Sequence, residues 1–254
     1  MPTQAQVKLV ASLQKKKFRN DTGLFVAEGI RLVSDLLGSK LLAEHVFYTS
    51  ECRDISIPKG VAAQEVPSTV MARMSGFVTP SPVVAVFRIP ELSCPPTEPI
   101  SGLCLALDDV QDPGNLGTIL RMAQWFGVNQ VICSPSTADA FAPKVVQASM
   151  GAVGHISIAY TSLIPVLQNA RANGLPVYGT FLFGESIYSQ KINSQGVIVF
   201  GNEGNGISKG VAAEVTHRIT IPSYPPGVPT TESLNVAMAA GIILSEVRRG
   251  GREF

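Results

Sequence analysis

The chain has 254 residues, 45% of them hydrophobic and 15% charged, with a net charge of +1. That length holds one large domain or two of about 100–150 residues, and the apolar content excludes wholesale disorder. A near-neutral balance excludes a protein that is basic throughout, so a polyanion would have to be met by a local patch.

Three further exclusions follow from particular stretches. The most apolar run, Val236–Leu244, is far shorter than the roughly 20 residues of a membrane-spanning helix. The opening Met1-Pro2-Thr3-Gln4 begins no apolar signal-peptide core, so a cytoplasmic protein without membrane attachment is expected. Cys52, Cys94, Cys104 and Cys133 never approach CxxC spacing, and there are three histidines. Reduced cysteines and no metal are therefore expected.

In chain order, Thr3 can cap a helix whose apolar positions Val7, Val10 and Leu13 keep helical spacing. Lys15, Lys16, Lys17 and Arg19 follow as an acid-free basic cluster, suited either to RNA phosphates or to a solvated face. Leu24–Ala27 reads as a strand and Ile30–Leu37 as a helix stopped by Gly38. Val46–Thr49 and Val83–Ile89 read as strands, with a short helix near Thr69–Met74. Residues 1–90 thus form a small α/β unit. The proline-rich stretch 91–100 reads as a linker.

Residues 101–254 alternate short apolar strands with helices. Strands are expected at Leu103–Leu107, Gln130–Cys133, Ile156–Tyr160, Val177–Phe181, Val197–Phe200 and Arg218–Ile221. Helices are expected at Leu116–Phe126, Lys144–Met150, Leu163–Asn173 and Leu234–Val247. The alternation predicts an α/β fold with a mainly parallel sheet covered by helices on both faces. The last helix is apolar almost all round, as expected of one buried in the core or against a partner.

Ligands of such sheets bind at the carboxyl ends of the strands, and three loops there carry chemistry. The first is Asp108–Arg121, where Pro113-Gly114 forces a turn, Asn115 stands in an N-cap position, and Arg121 and Trp125 project off the apolar stripe. The second is Gly201-Asn202-Glu203-Gly204-Asn205-Gly206, whose glycines permit close backbone approach. The third runs from Ile221-Pro222 to Glu232-Ser233-Leu234-Asn235, with Ser233 a candidate cap and Asn235 a mild misfit inside a helix.

Taken in this order, the loops resemble the SpoU family of the SPOUT class of RNA methyltransferases. Asp112-Pro113-x-Asn115-x-Gly117-x-x-x-Arg121 resembles its first motif, Gly201-Asn202-Glu203-Gly204 its second, and Ile221-Pro222 with Ser233-Leu234-Asn235 its third. Lys16-Lys17-Phe18-Arg19 with Gly23–Gly29 is similar to the family's ribosomal-protein-like substrate-binding domain.

The resemblance implies a catalytic domain with a trefoil knot, where periodicity alone suggests an ordinary doubly wound sheet. It implies S-adenosylmethionine as cofactor, contacted near Thr180, Gly201, Asn202, Gly204, Ile221 and Leu234. It also implies a homodimer, which suits an outward Trp125, and an RNA substrate of the tRNA or rRNA class met by Lys15, Lys16, Lys17 and Arg19. The activity implied is transfer of a methyl group to a ribose 2′-hydroxyl, with Arg121, Asn115, Glu203, Ser233 and Asn235 as catalytic residues. Arginine is effectively never deprotonated, so Arg121 is expected to bind the adjacent phosphate and stabilise the developing alkoxide.

The link Ser223–Glu232 is longer and more proline-rich than the family's usual one, and Tyr224 in it is either a base-stacking residue or an ordinary loop tyrosine. Two other readings remain. A nucleotide-cofactor oxidoreductase predicts GxGxxG after the first strand of the domain, where this chain has Asp-Pro-Gly-Asn. A catalytically inactive RNA-binding protein would not need the intact Asn115, Arg121, Glu203, Ser233 and Asn235.

Overall fold

The structure, a computed structural model, describes residues 1–91, 100–189, 192–225, 228 and 233–250. Most of the expected linker, Cys94 and much of the Ser223–Glu232 loop lie outside the described residues. The first elements are α1 (Gln4–Ser12), α2 (Lys16–Thr22), β1 (Leu24–Glu28), α3 (Ile30–Leu37), β2 (Ala43–Tyr48), β3 (Ala62–Glu65), α4 (Ser68–Met74) and β4 (Val83–Arg88). There follow β5 (Leu103–Leu107), α5 (Pro113–Trp125), β6 (Gln130–Cys133), α6 (Pro143–Ser149), β7 (Ser157–Tyr160) and α7 (Leu163–Ala172). The chain continues through β8 (Val177–Ser186), β9 (Gly196–Phe200), α8 (Lys209–Ala212), β10 (His217–Thr220) and α9 (Val236–Gly250).

These elements form two units, Met1–Glu91 with Asp139–His155, and Leu92–Ala138 with Ile156–Phe254. The first holds a four-stranded sheet in the order β1-β4-β2-β3. Thr3 closes a capping box with Gln6 and starts α1, satisfying two backbone donors that the helix itself cannot. Val7, Val10 and Leu13 then bury against Val26, Phe47, Met71, Val84 and Val86. Asp139–His155 belongs to this unit although it falls between strands β6 and β7 of the second sheet. Phe141 packs on Phe25 with ring centroids 5.0 Å apart.

The second unit is a six-stranded sheet in the order β10-β8-β9-β5-β6-β7, with every pair parallel. All five residues of β5 and of β9 are buried, as central strands covered on both faces must be. On one face Cys104, Ala106, Val197 and Val199 pack with Leu163, Val166, Leu167 and Ala170 of α7 and Val211 of α8. Helix α5 buries Leu116, Ile119, Leu120 and Ala123 and packs along α9.

Helix α9 buries Ala237, Ala240, Ile243, Leu244 and Val247 and leaves Met238 61% exposed, so within the chain one side of it is covered. The register of β8 with β10 jumps from Gly179 opposite Arg218 to Glu185 opposite Ile219. The skipped residues, Thr180–Gly184, loop out at the carboxyl end of the β8–β9 pairing. Among the described residues no helix is long and apolar enough to cross a membrane.

Candidate active site

Four neighbouring parallel strands end on one edge of the second sheet, and the three motif loops leave from there. After β5, Asp108 is buried: its N–H donates to the Phe200 carbonyl at 2.8 Å and its carboxylate accepts the Ser208 N–H at 2.7 Å. Helix α5 begins at Pro113 with Asp112 as its N-cap, the Asp112 carboxylate accepting the Asn115 N–H at 2.8 Å. Asn115, which the sequence places at the cap, is therefore inside the first turn, and Asp112 is the cap. Proline at the first helical position, with its fixed φ, starts the helix earlier and leaves the Asn115 side chain free for other partners.

After β9 the glycine loop folds tightly back on itself. A Cβ on Gly201 would stand 2.2 Å from the Gly206 backbone carbon, so only glycine fits. Asn202 and Gly206 exchange both backbone hydrogen bonds, and the Asn202 side-chain oxygen accepts the N–H groups of Gly204 and Asn205 at 2.9 and 3.0 Å. Thr180, in the looped-out segment of β8, donates its hydroxyl to the Val199 carbonyl at 3.0 Å. Thr180 thus follows the last β8–β9 pair, Gly201 the end of β9 and Ile221 the end of β10.

The third loop also reads differently from its sequence. The N-terminus of α9 is capped by Asn235, whose side-chain oxygen accepts from Ala237 and Met238 at 2.9 and 3.3 Å. Ser233 and Leu234 precede the helix and are exposed, and Ser233 makes no hydrogen bond among the described residues. The apparent misfit of Asn235 inside a helix disappears, because it is the cap.

Those two helix starts meet through one chain of amides. Asn235 donates Nδ2 to Oδ1 of Asn115 at 2.9 Å, and Asn115 donates Nδ2 to a carboxylate oxygen of Glu203 at 3.0 Å. Glu203 also accepts the N–H groups of Asp112 and Gln111 at 3.3 and 3.4 Å. The direction of the chain is fixed at both ends, since a carboxylate only accepts and the cap oxygen is already in use. Burial pushes the Glu203 carboxyl up, but the donated bonds from Asn115 and from the backbone of Glu203, Asp112 and Gln111 outweigh it and hold the group below its ordinary value. An ionised, fully engaged carboxylate is a brace for the loops rather than a proton acceptor.

Arg121 is exposed and makes no hydrogen bond or ion pair among the described residues, and nothing joins it to Asn115. Trp125, one turn on, is 81% exposed. In the first unit, Lys15, Lys16 and Lys17 are exposed. Arg19 is not: it is 3% exposed, paired with Asp139 at 2.6 Å, and donates to the Leu13 carbonyl at 2.8 Å. Its proximity to the lysines in sequence hides a structural role. Among the described residues no group of three or more His, Cys, Asp or Glu could hold a metal ion.

Comparison with known proteins gives the following matches. Residues 102–245 match the model of the SpoU rRNA Methylase family, and residues 4–85 that of an MRM3-like substrate binding domain. The chain is 31% identical over 245 residues to the 23S rRNA (guanosine(2553)-2′-O)-methyltransferase RlmP of Bacillus subtilis, covering 96% of each. A solved TrmH-family protein from Porphyromonas gingivalis is similar with TM-score 0.89 and 41% identity, covering 98% of this chain and 99% of that one. An AdoMet-bound rRNA methyltransferase from Sinorhizobium meliloti is similar with TM-score 0.84 and 31% identity, covering 100% and 97%.

Proposed function

The chain belongs to the SpoU rRNA methylase family, and from that premise we propose that it methylates a ribose 2′-hydroxyl in structured RNA, with S-adenosylmethionine as donor. The observation that carries the reading is the amide chain Asn235–Asn115–Glu203, which locks all three motif loops together at one sheet edge. Ribosomal RNA is the favoured class, because the Bacillus subtilis relative, matched over 96% of its length, is named for it.

The residues fit the donor. Gly201 has no room for a side chain and leaves bare backbone at the end of β9, with Thr180 following the last β8–β9 pair and Ile221 following β10 on the far side of β8. Backbone near Thr180, Gly201, Asn202, Gly204, Ile221 and Leu234 would hold S-adenosylmethionine, which when bound supplies an electrophilic methyl group. The protein must then align a ribose hydroxyl in line with that methyl group and ease the loss of the hydroxyl proton. Arg121 supports both tasks as a fixed cation with an uncommitted guanidinium. It would bind the phosphate beside the target nucleotide and stabilise charge developing on the attacking oxygen. Asn115, Glu203 and Asn235 act one step back by fixing the loops.

Residues 1–90 serve as the RNA substrate-binding domain, with Lys15, Lys16 and Lys17 meeting phosphates, and residues 101–254 as the catalytic domain. The strand order and the register jump beside β10 are compatible with the family's trefoil knot. The exposed Trp125 and Met238 on the packed pair α5 and α9 suit a homodimer contact, and the protein is assigned to the cytoplasm. A calorimetric titration tests the reading: S-adenosylhomocysteine should bind and NAD should not. Arg121→Ala should keep that binding but lose about 10²–10³-fold in methyl transfer, by analogy with oxyanion donors. Transfer at the wild-type rate would remove Arg121 from the mechanism.

A further inference from the structure

We propose that Asp109 is a positioning residue for the cofactor loop, acting through Asn202; the inference rests on the methyltransferase reading of the site. Asp109 follows β5 with φ 62°. This left-handed conformation is sparsely populated by residues other than glycine, and Asp and Asn tolerate it best. Every polar group of the residue is engaged. Its N–H donates to the Ser134 hydroxyl at 2.9 Å, and its carboxylate accepts from Nε2 of Gln111 at 3.0 Å. The Asn202 amide donates both to the Asp109 carbonyl oxygen, at 2.8 Å, and to its carboxylate, at 3.3 Å.

The consequence lies in what Asn202 does with its other end. The side-chain oxygen of Asn202 gathers the N–H groups of Gly204 and Asn205 and so shapes the turn that Gly201 begins. Asp109 holds one end of that amide while the turn is built on the other. The left-handed backbone aims the Asp109 carbonyl and carboxylate at the same amide, which explains why a strained conformation is kept at this point. Loss of the carboxylate leaves the amide held by the Asp109 carbonyl alone and loosens the turn. The effect should fall on binding of the donor and not on the later steps with RNA.

Two variants separate this role from plain stability. Asp109→Gly keeps the backbone carbonyl contact and relieves the left-handed strain, so its melting temperature should stay close to that of the wild type. Its dissociation constant for S-adenosylhomocysteine should rise about tenfold, the worth of roughly one charge-assisted hydrogen bond. The KM for S-adenosylmethionine should rise in step while kcat and RNA affinity stay within about twofold. Asp109→Asn tolerates the same backbone and keeps one acceptor, so it should lie between the two and hold the proposal open to test if the glycine variant folds poorly. Binding within twofold of wild type in both variants, or a loss of RNA affinity in parallel, would overturn the role. If the wild-type chain itself binds neither S-adenosylhomocysteine nor the donor, it is the methyltransferase reading that fails.

Discussion

Glu203→Gln tests the central brace of the site, because it changes one oxygen for an amide and removes the charge with little change of shape. In the wild type one carboxylate oxygen takes the Asn115 amide and the Asp112 N–H, and the other takes the Gln111 N–H. A glutamine can keep the first oxygen, but its NH2 group then faces the Gln111 N–H, donor against donor. The change converts charge-assisted bonds to neutral ones and loses one weak bond. For an exposed group this comes to about 1 kcal/mol, or about 2–4 °C in melting temperature for a chain of this size. The pH dependence fixes the sign. Because the folded-state pKa of Glu203 is lowered, its stabilisation is present above the unfolded value, about 4.3, and is lost as pH falls through the folded one. Melting curves by circular dichroism should show the variant less stable at neutral pH and the two proteins converging in acid. A gap of the same size at every pH, or none at neutral pH, would refute the bracing role.

Other perturbations follow from the same structure. Arg19→Ala leaves the Asp139 carboxylate, 17% exposed, without its cation, and denaturant unfolding should show a loss of about 3 kcal/mol; a loss below about 1 kcal/mol would mean that the pair is merely superficial. Burial holds the His45 imidazole below its ordinary pKa, and its buried Nε2 has no hydrogen-bond partner among the described residues. Its neutral form is favoured by folding, so its contribution is complete above about pH 6.5 and is lost as pH falls below that value. The stability of His45→Gln should accordingly fall less than that of wild type between about pH 7.5 and 5, as read by melting temperature. Burial pushes the Cys133 thiol up to about 12, against a smaller lowering by Tyr160, and Cys52 and Cys104 are also buried. Mass spectrometry after mild alkylation of the native protein should find all three unmodified.

The elements were largely legible because hydrophobic period and capping chemistry are local. Thr3 with Gln6 announces α1, and the apolar runs of β5 and β9 announce strands covered on both sides. Where the reading slipped, a residue's partner lay far along the chain. Asn115 resembles a cap and Asn235 a residue inside a helix, but only the fold shows that Asp112 caps α5, that Asn235 caps α9, and that the two asparagines meet across 120 residues. The Asp-Pro pair itself was a readable start signal. Arg19 sits in a basic cluster, and its counter-ion is likewise 120 residues away. β3 (Ala62–Glu65) was missed because its residues are mostly exposed and follow no alternating apolar pattern, and α8 because four residues carry too little periodicity. The catalytic candidates came through the order of three motifs, while the hydrogen bonds that join them needed the structure.

The claim most directly open to test is the chemistry itself. Purified protein should be incubated with methyl-labelled S-adenosylmethionine and unmodified ribosomal RNA, and the RNA then digested to nucleosides. The account predicts label at a single 2′-O-methylated ribose, abolished or nearly so in Arg121→Ala. Label on a base, or no transfer to any RNA offered while the protein remains folded, would contradict it.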